Sequence, residues 1–378
     1  MPLSSAKRAW IVIAIVLLCL VAAGVAYYFW QARPLPPIVS TLPGVPAAGP
    51  PPDILSQLPA DAPVVAYIDA ENLRTLQNSP LAAALGLASP GPQADRDYAN
   101  FVRDTGFDYT RDLDHAVIAA WPASFGTPDN VLGEDRVLAI ADGRFDQQKI
   151  KAYALRTGKE IASGPQPVYK VPGNPPVSLT FLSPTRIALA GGHNATEVLA
   201  RVSPNASSSA SRSPAMQSRI QRVAGAPMFG VARTDLLPQS VYAPLHNSPQ
   251  LEQIARSIQA VTLAGQPDRD NLRVTLDAEC DSMKNAVQLA FLLETGKMAG
   301  SMALSDPRTR RQMTSEQYKF LEALINRATI NHQNKVVRIT LEITPDMLAT
   351  TPPPKPAASR APATPHTPPP AAYPHSSH

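Results

Sequence analysis

The sequence predicts an α+β chain: one transmembrane helix, then two tandem duplicated β-α-β-β-α-β-β modules with mainly antiparallel sheets. Three observations lead there. An apolar run long enough to cross a bilayer lies near the N-terminus. Beyond that run, a series of landmarks recurs in the same order in both halves of the chain. Within each half, short strands come in adjacent pairs beside two helical stretches, the pattern of an antiparallel sheet with helices on one face.

The first element is the apolar run. From Ala9 to Trp30 the chain carries no charged or strongly polar residue. As a helix these 22 residues span about 33 Å, enough for a hydrocarbon core of roughly 30 Å. Lys7 and Arg8 precede the run and only Arg33 follows closely, which orients residues 1–8 to the cytoplasm and the bulk of the chain outside it. Trp10 marks one interface, and Tyr27, Tyr28, Phe29 and Trp30 mark the other. A cleaved signal peptide is the competing reading, because Ala22-Ala23-Gly24-Val25-Ala26 is small enough for a cleavage site. The length of the run and the aromatic cluster favour retention. A lipoprotein signal fits less well, since Leu18 stands before Cys19 where a small residue is expected. On either leading reading the folded part is periplasmic or extracellular, and the retained helix places the chain in a bacterial inner membrane.

Proline sets the next boundaries. Of 41 Pro, eight fall in residues 33–52 and ten in residues 351–378. Proline favours extended polyproline conformations, so residues 31–53 read as a stiff spacer. Residues 349–378 read as a disordered tail that cannot bury a core. Charge partitions the same way. Lys7, Arg8, Arg33, Lys355 and Arg360 lie outside the folded region, and all 30 acidic residues lie inside it. The folded part is therefore close to neutral despite the formal net charge of +4. A nucleic-acid groove needs concentrated Lys and Arg, so nucleic acid is excluded as the expected partner. Arg308, Arg310 and Arg311 form one local cluster, read as a solvated turn.

The repeat gives the folded region its plan: a first copy over 54–202, a Ser-rich junction at 203–214 and a second copy over 215–348. Ala62–Tyr67 aligns with Ala226–Val231 as an opening strand. Leu73 and Leu236-Leu237 follow as turns. Asn78-Ser79-Pro80 then aligns with Asn247-Ser248-Pro249, in which Ser caps a helix and Pro takes its first position. Ala116–Ala119 pairs with Ala260–Leu263, and Val137–Ala141 with Leu272–Leu276. The last of these alternates polar and apolar, predicting one wet face. Asp146 and Asp281 sit where N-caps belong, and the helix after Asp281 places Met283, Val287, Ala290 and Phe291 on one face. Both helices are expected to end at Thr-Gly-Lys, at 157–159 and 295–297, since Gly after a helix is a C-cap signal. Strands near 167–171, 177–182 and 185–190 close the first copy, and 328–332 and 335–343 close the second. An extra helix, 315–327, is capped by Thr314 with Gln317.

The search for chemistry yields no catalytic, cofactor or metal residue. The repeated Ser79 and Ser248 are explained by capping. Thr-Gly-Lys lacks the earlier Gly of a phosphate loop, since Tyr153 and Phe291 occupy those places. His115, His193, His246 and His332 are scattered, and Cys19 and Cys280 are far apart, so no ligand spacing arises. His366, His375 and His378 lie dispersed in the tail. Asp95 with Asp97, and Asp112 with Asp114, are the acidic pairs, and general acid–base work would need such a pair to face one cavity. The second copy holds Arg256 and Ile258 where the first holds Asp112 and Asp114, so turn carboxylates are the reading. Asn194 and Asn205 match the Asn-x-Ser/Thr pattern and carry no weight without a glycosylating host.

Leu58-Pro59-Ala60-Asp61-Ala62-Pro63-Val64-Val65-Ala66-Tyr67-Ile68-Asp69, with Asn78-Ser79-Pro80-Leu81 after it, resembles the start of a loose group of bacterial single-pass extracytoplasmic proteins of unknown function. The resemblance covers mainly residues 55–85. It implies an extracytoplasmic location and brings no site residues. The functional expectation is a membrane-tethered, non-enzymatic binding or scaffold module of the cell envelope. Its partners are the membrane, through residues 9–30, and an envelope protein or anionic polymer. The alternative is an envelope enzyme with a site in the cleft between the two copies.

Overall fold

The structure, a computed structural model, describes residues 53–74, 96–121, 136–163, 166–171, 176–192, 195–202, 209–236, 242, 249–268, 271–312, 315–344 and 347. The segment 9–30, the spacer and the tail lie outside the described residues. Among the described residues no helix is long and apolar enough to cross a membrane.

The described residues are α+β and build one twelve-stranded sheet in which every pairing is antiparallel. The strands are β1 (Val64–Asp69), β2 (Leu113–Trp121), β3 (Arg136–Gly143), β4 (Lys159–Ser163), β5 (Gln166–Val171), β6 (Val177–Ser183) and β7 (Arg186–Gly191), then β8 (Met228–Arg233), β9 (Ile258–Asp268), β10 (Asn271–Cys280), β11 (Thr329–Gln333) and β12 (Val336–Ile343). Across the sheet they run β11-β12-β10-β9-β8-β1-β2-β3-β7-β6-β5-β4. Valine and alanine are frequent in the central strands, where a pleated surface packed on one face favours small and β-branched side chains. The sequence left open how the two halves pack. They join edge to edge, β1 against β8, with Ala66 opposite Gly230.

Ten α-helices are described: α1 (Ala70–Arg74), α2 (Arg96–Thr105), α3 (Tyr109–Asp112), α4 (Gln147–Thr157), α5 (Ala195–Ala200), α6 (Pro214–Val223), α7 (Pro249–Ser257), α8 (Met283–Ser305), α9 (Pro307–Gln312) and α10 (Ser315–Arg327). This is a richer inventory than two helices per half. On one sheet face, Val65, Val117, Ala119, Leu138, Ala190 and Val231 are buried under Ile54, Leu55, Leu58, α5 and α6. The opposite face is covered at its two ends. Ile150 and Ala154 of α4 pack on Tyr169, Leu179 and Ile187 at one end. Ala286, Leu289, Ala290 and Leu293 of α8 pack on Ala278, Cys280 and Val337 at the other.

Several expectations need correction. β4 was not expected: Lys159-Glu160-Ile161-Ala162-Ser163 holds too few strand formers to announce itself, and its pairing with β5 makes it a strand. Asp146 does cap α4, accepting from the Lys149 N–H at 3.1 Å, and Gly158 does end it. Asp281 does not cap α8. Ser282 does, accepting from the Asn285 N–H at 3.2 Å, while Asp281 accepts from the Asn285 side chain at 2.7 Å. Gly296 does not end α8, which runs on to Ser305 because Ala299 and Leu304 beyond it are buried. The Ser-rich junction is partly built in: Ser209 bridges Pro59, and the Ala210 N–H donates to the Leu58 carbonyl at 2.8 Å. α7 begins at Pro249 as expected, whereas Ser79, Pro80 and Ser248 lie outside the described residues.

Candidate functional site: an apolar helix face and a polar cluster

The residues with the strongest sequence claim to chemistry are held by structural partners. The Asp112 carboxylate accepts from the Asp108 N–H at 3.0 Å and from Arg111 Nε and Nη2 at 2.9 and 2.7 Å. Those Arg111 bonds hold its pKa below the usual carboxylate range, although burial opposes them. Asp114 accepts from Arg74 at 3.0 Å. Arg144 lies between the two carboxylates, 3.8 Å from Asp112 and 3.9 Å from Asp114, so each is neutralised by arginines. Cys280 is fully buried, and burial lifts its thiol to about 11 against a weaker pull from Ser257. A thiol in that state is a poor nucleophile. Among the described residues no group of three or more His, Cys, Asp or Glu could hold a metal ion. Asp97 lies at the start of α2 and His332 in β11. Asp95, His193, Asn194, Asn205 and His246 lie outside the described residues.

Among the described residues, polar groups gather around a candidate histidine at His115. Asp69, His115, Asp142 and Arg186 are successive cross-strand partners on β1, β2, β3 and β7, so they form a row along one sheet face. Arg186 grips Asp142 with two bonds of 2.5 and 2.7 Å. His115 Nε2 stands 3.8 Å from Asp69, beyond hydrogen-bond range, and its ring stacks on Tyr67 at 6.2 Å. Burial, with Asp69 and Asp142 adding, raises the Tyr67 phenol to about 12, so it keeps its proton at neutral pH. The row closes the end of the core under Tyr67 and Phe229, whose rings lie 5.2 Å apart. It aligns no nucleophile with a base.

A second polar group ties α6 to the sheet. Glu279 accepts from Arg219 at 3.2 and 3.0 Å and from Arg222 at 2.5 Å. Burial works to raise this carboxyl, but the two arginines outweigh it and hold it below its ordinary 4.5. A carboxyl lowered in the folded state contributes stability that is present above the unfolded-chain value and lost as pH falls through the folded value. Glu279→Gln is thus expected to be less stable than the parent at neutral pH, with the gap closing as pH drops below 4.5. Urea unfolding across a pH series reads this directly. A gap that stays constant into acid would sink the assignment.

The surface best suited to contact lies on α8. Met283, Val287, Ala290 and Phe291 were expected to share one face of this helix. Only Ala290 is buried; the core face is instead Ala286, Leu289, Ala290, Leu293, Gly296, Ala299 and Leu304. Met283, Val287 and Phe291 lie on the outer side with Met298 and Met302, and the three methionines are 59%, 52% and 58% exposed in chain order. Apolar residues at helical spacing normally mark the core. Here two stripes occupy opposite sides of one helix, and the sheet can bury only one. The sequence signal for the outer stripe was visible in the four-residue steps from Met283 to Phe291 and from Met298 to Met302, but periodicity does not say which stripe faces inward. Ile68 and Leu263, 37% and 42% exposed, add apolar surface near the centre of the sheet.

No protein-family profile matches the chain. No curated protein is similar to it at a significant level. Among solved structures, three crystal forms of TP0453 are similar in part. Form I gives a TM-score of 0.39 at 11% identity over 78% of this chain and 94% of that one. Form III gives 0.39 at 14% over 80% and 98%. Form IV gives 0.41 at 12% over 78% and 94%. Overlap at this level leaves role and ancestry to be argued from the chain's own residues.

Proposed function

We propose that the protein is a membrane-tethered, extracytoplasmic binding or scaffold module of the bacterial envelope, built by tandem duplication. The observation that carries the binding role is the outer stripe of α8: five large apolar side chains held on a rigid helix and left in water. Solvated apolar patches of this kind mark contact surfaces. The tether rests on the uncharged run Ala9–Trp30, its basic N-terminal flank and the Pro-rich spacer after it.

Two features support the duplication. Ala66 and Gly230 are equivalent residues in the sequence alignment of the halves and are also direct partners across β1 and β8. A two-fold relation between the halves brings equivalent residues face to face in this way. Strand order also mirrors about that pair: β1-β2-β3-β7-β6 runs one way and β8-β9-β10-β12-β11 the other. The enzyme reading has less support, because backbone pairing of β1 with β8 occupies the place where a cleft between the copies would open.

The test has two arms. A reporter that folds only outside the cytoplasm, fused to the C-terminus, is expected to be active, with the chain resisting carbonate extraction from membranes. Converting Met283, Phe291 and Met298 together to Ser is expected to abolish the chain's cross-linked complexes in envelope preparations while leaving its melting behaviour close to the parent's. An active cytoplasmic reporter would overturn the topology. Complexes unchanged in the triple variant would overturn the binding surface.

A further inference from the structure

We propose that Trp121, Arg136 and Arg201 form a binding site for a phosphate group. The site lies in the first copy, apart from α8, and does not depend on what that helix binds. Trp121 ends β2 with its ring in the core, only 7% exposed. Its indole N–H is buried and has no hydrogen-bond partner. A buried donor without an acceptor is rare in a native fold and marks a place where a water or an ion belongs. Two guanidiniums lie against the same ring. Arg136, directly opposite Trp121 on β3, has its Cζ 5.7 Å from the ring centre. Arg201, just past α5, has its Cζ 5.3 Å from it.

The chemistry of this group is one-sided. An indole N–H and a guanidinium can only donate, so a ligand that answers all three offers acceptors and carries negative charge. Among the described residues no carboxylate pairs with Arg136, whose guanidinium rests on the ring. Arg201 donates to Asp61 at 2.5 Å, but the two side chains are 37% and 54% exposed, and a pair in water holds weakly. Reach agrees. The indole nitrogen belongs to the ring that both arginines touch, so each Cζ lies within about 8 Å of it, a gap that a tetrahedral oxyanion accepting bonds of about 2.9 Å on both sides can bridge. A planar carboxylate has two oxygens for three donor groups and leaves one unanswered.

The second copy argues against a purely architectural role. Where the alignment of the halves sets Trp121 and Arg136, it holds Gly265 and Asn271. Its strands β9 and β10 pair along their length with neither an aromatic ring nor a cation at those places. In the first copy Arg136 and Arg201 are exposed while Trp121 is buried, so an ion meets the guanidiniums first and the indole behind them.

Fluorescence tests the site directly, because the other two tryptophans, Trp10 and Trp30, lie in the apolar run. The full chain carrying Trp10→Phe and Trp30→Phe, held in a non-ionic detergent, emits from Trp121 alone. Inorganic phosphate at constant ionic strength is expected to change that emission saturably, and sodium chloride is not. Arg136→Gln and Arg201→Gln are each expected to raise the phosphate midpoint by about tenfold with the melting temperature close to the parent's. Should Arg201→Gln unfold for want of its Asp61 pair, the exposed Arg136 decides alone. A second titration, with dihexanoyl phosphatidylglycerol, separates the sources of the phosphate group. A midpoint below that of inorganic phosphate assigns a lipid headgroup, and one above it assigns a free phosphate. No saturable change with either probe, an equal change with chloride, or a midpoint that the arginine variants leave in place overturns the site.

Discussion

Arg338→Met on its own is expected to destabilise the fold by about 3–5 kcal/mol, and adding Asp277→Leu is expected to recover most of that loss. The two residues are direct cross-strand partners on β12 and β10. Arg338 Nε and Nη2 donate to the two carboxylate oxygens at 2.6 and 2.7 Å, and the side chains are only 9% and 2% exposed. Desolvating two charges costs about as much as their attraction returns, so the intact pair adds little net stability. Removing one member is different, because it strands the other charge in a dry site with no partner. The carboxylate left by Arg338→Met would have Thr262 on its other flank, as the β9 residue opposite Asp277. A hydroxyl cannot replace a guanidinium fork. Urea unfolding of both single variants and the double closes a mutant cycle. A double variant no more stable than the worse single would show that the pair contributes by something other than mutual neutralisation.

Neither member of that pair was legible in the sequence. The alternation Leu272-Arg273-Val274-Thr275-Leu276 predicted a wet face on β10, and Arg273 is exposed as expected. Two steps along the same face Asp277 is dry, because Arg338 arrives from a strand 61 residues away. Local pattern gives the pleat, and only the topology says which stretch of it is covered. The same limit explains α8. Its two apolar stripes were both present in the sequence, and the choice between them depended on where β10 and β12 would lie. What was read well was local and chemically specific: the opening strands β1 and β8, the paired strands β2–β3 and β9–β10, the Asp146 cap and Pro249 at the start of α7.

Thr-Gly-Lys shows how far a local signal reaches, and it carries the second large prediction. At 157–159 it ends α4, and at 295–297 it lies within α8. An interior Gly costs about 1 kcal/mol relative to Ala, so burial of Ala299 and Leu304 is enough to carry α8 through Gly296. Gly158 answers to a different constraint. A Cβ there would collide with the Lys170 carbonyl oxygen and stand 2.9 Å from its carbon and 3.1 Å from the Ala154 oxygen. All three are backbone atoms, so no side chain can rotate away. The Gly158 N–H also donates to Ala154 at 2.8 Å, and the next residue, Lys159, pairs with Lys170 at the start of the β4–β5 ladder. Gly158→Ala must therefore separate the end of α4 from β5 or break that ladder. The expected cost is about 3 kcal/mol, the upper end of what core overpacking costs. Amide exchange should rise first in β4 and β5, since β4 is the edge of the sheet among the described residues. Gly191→Ala is the matched control, because a Cβ there meets nothing within 4 Å. It should move the melting midpoint far less. Equal shifts in the two variants would mean that chain entropy, and not this contact, decides the effect. A large loss confined to Gly158→Ala would show that glycine at the end of α4 is required by the approach of β5, a strand it meets twelve residues later, and not by the helix end that its tripeptide announces.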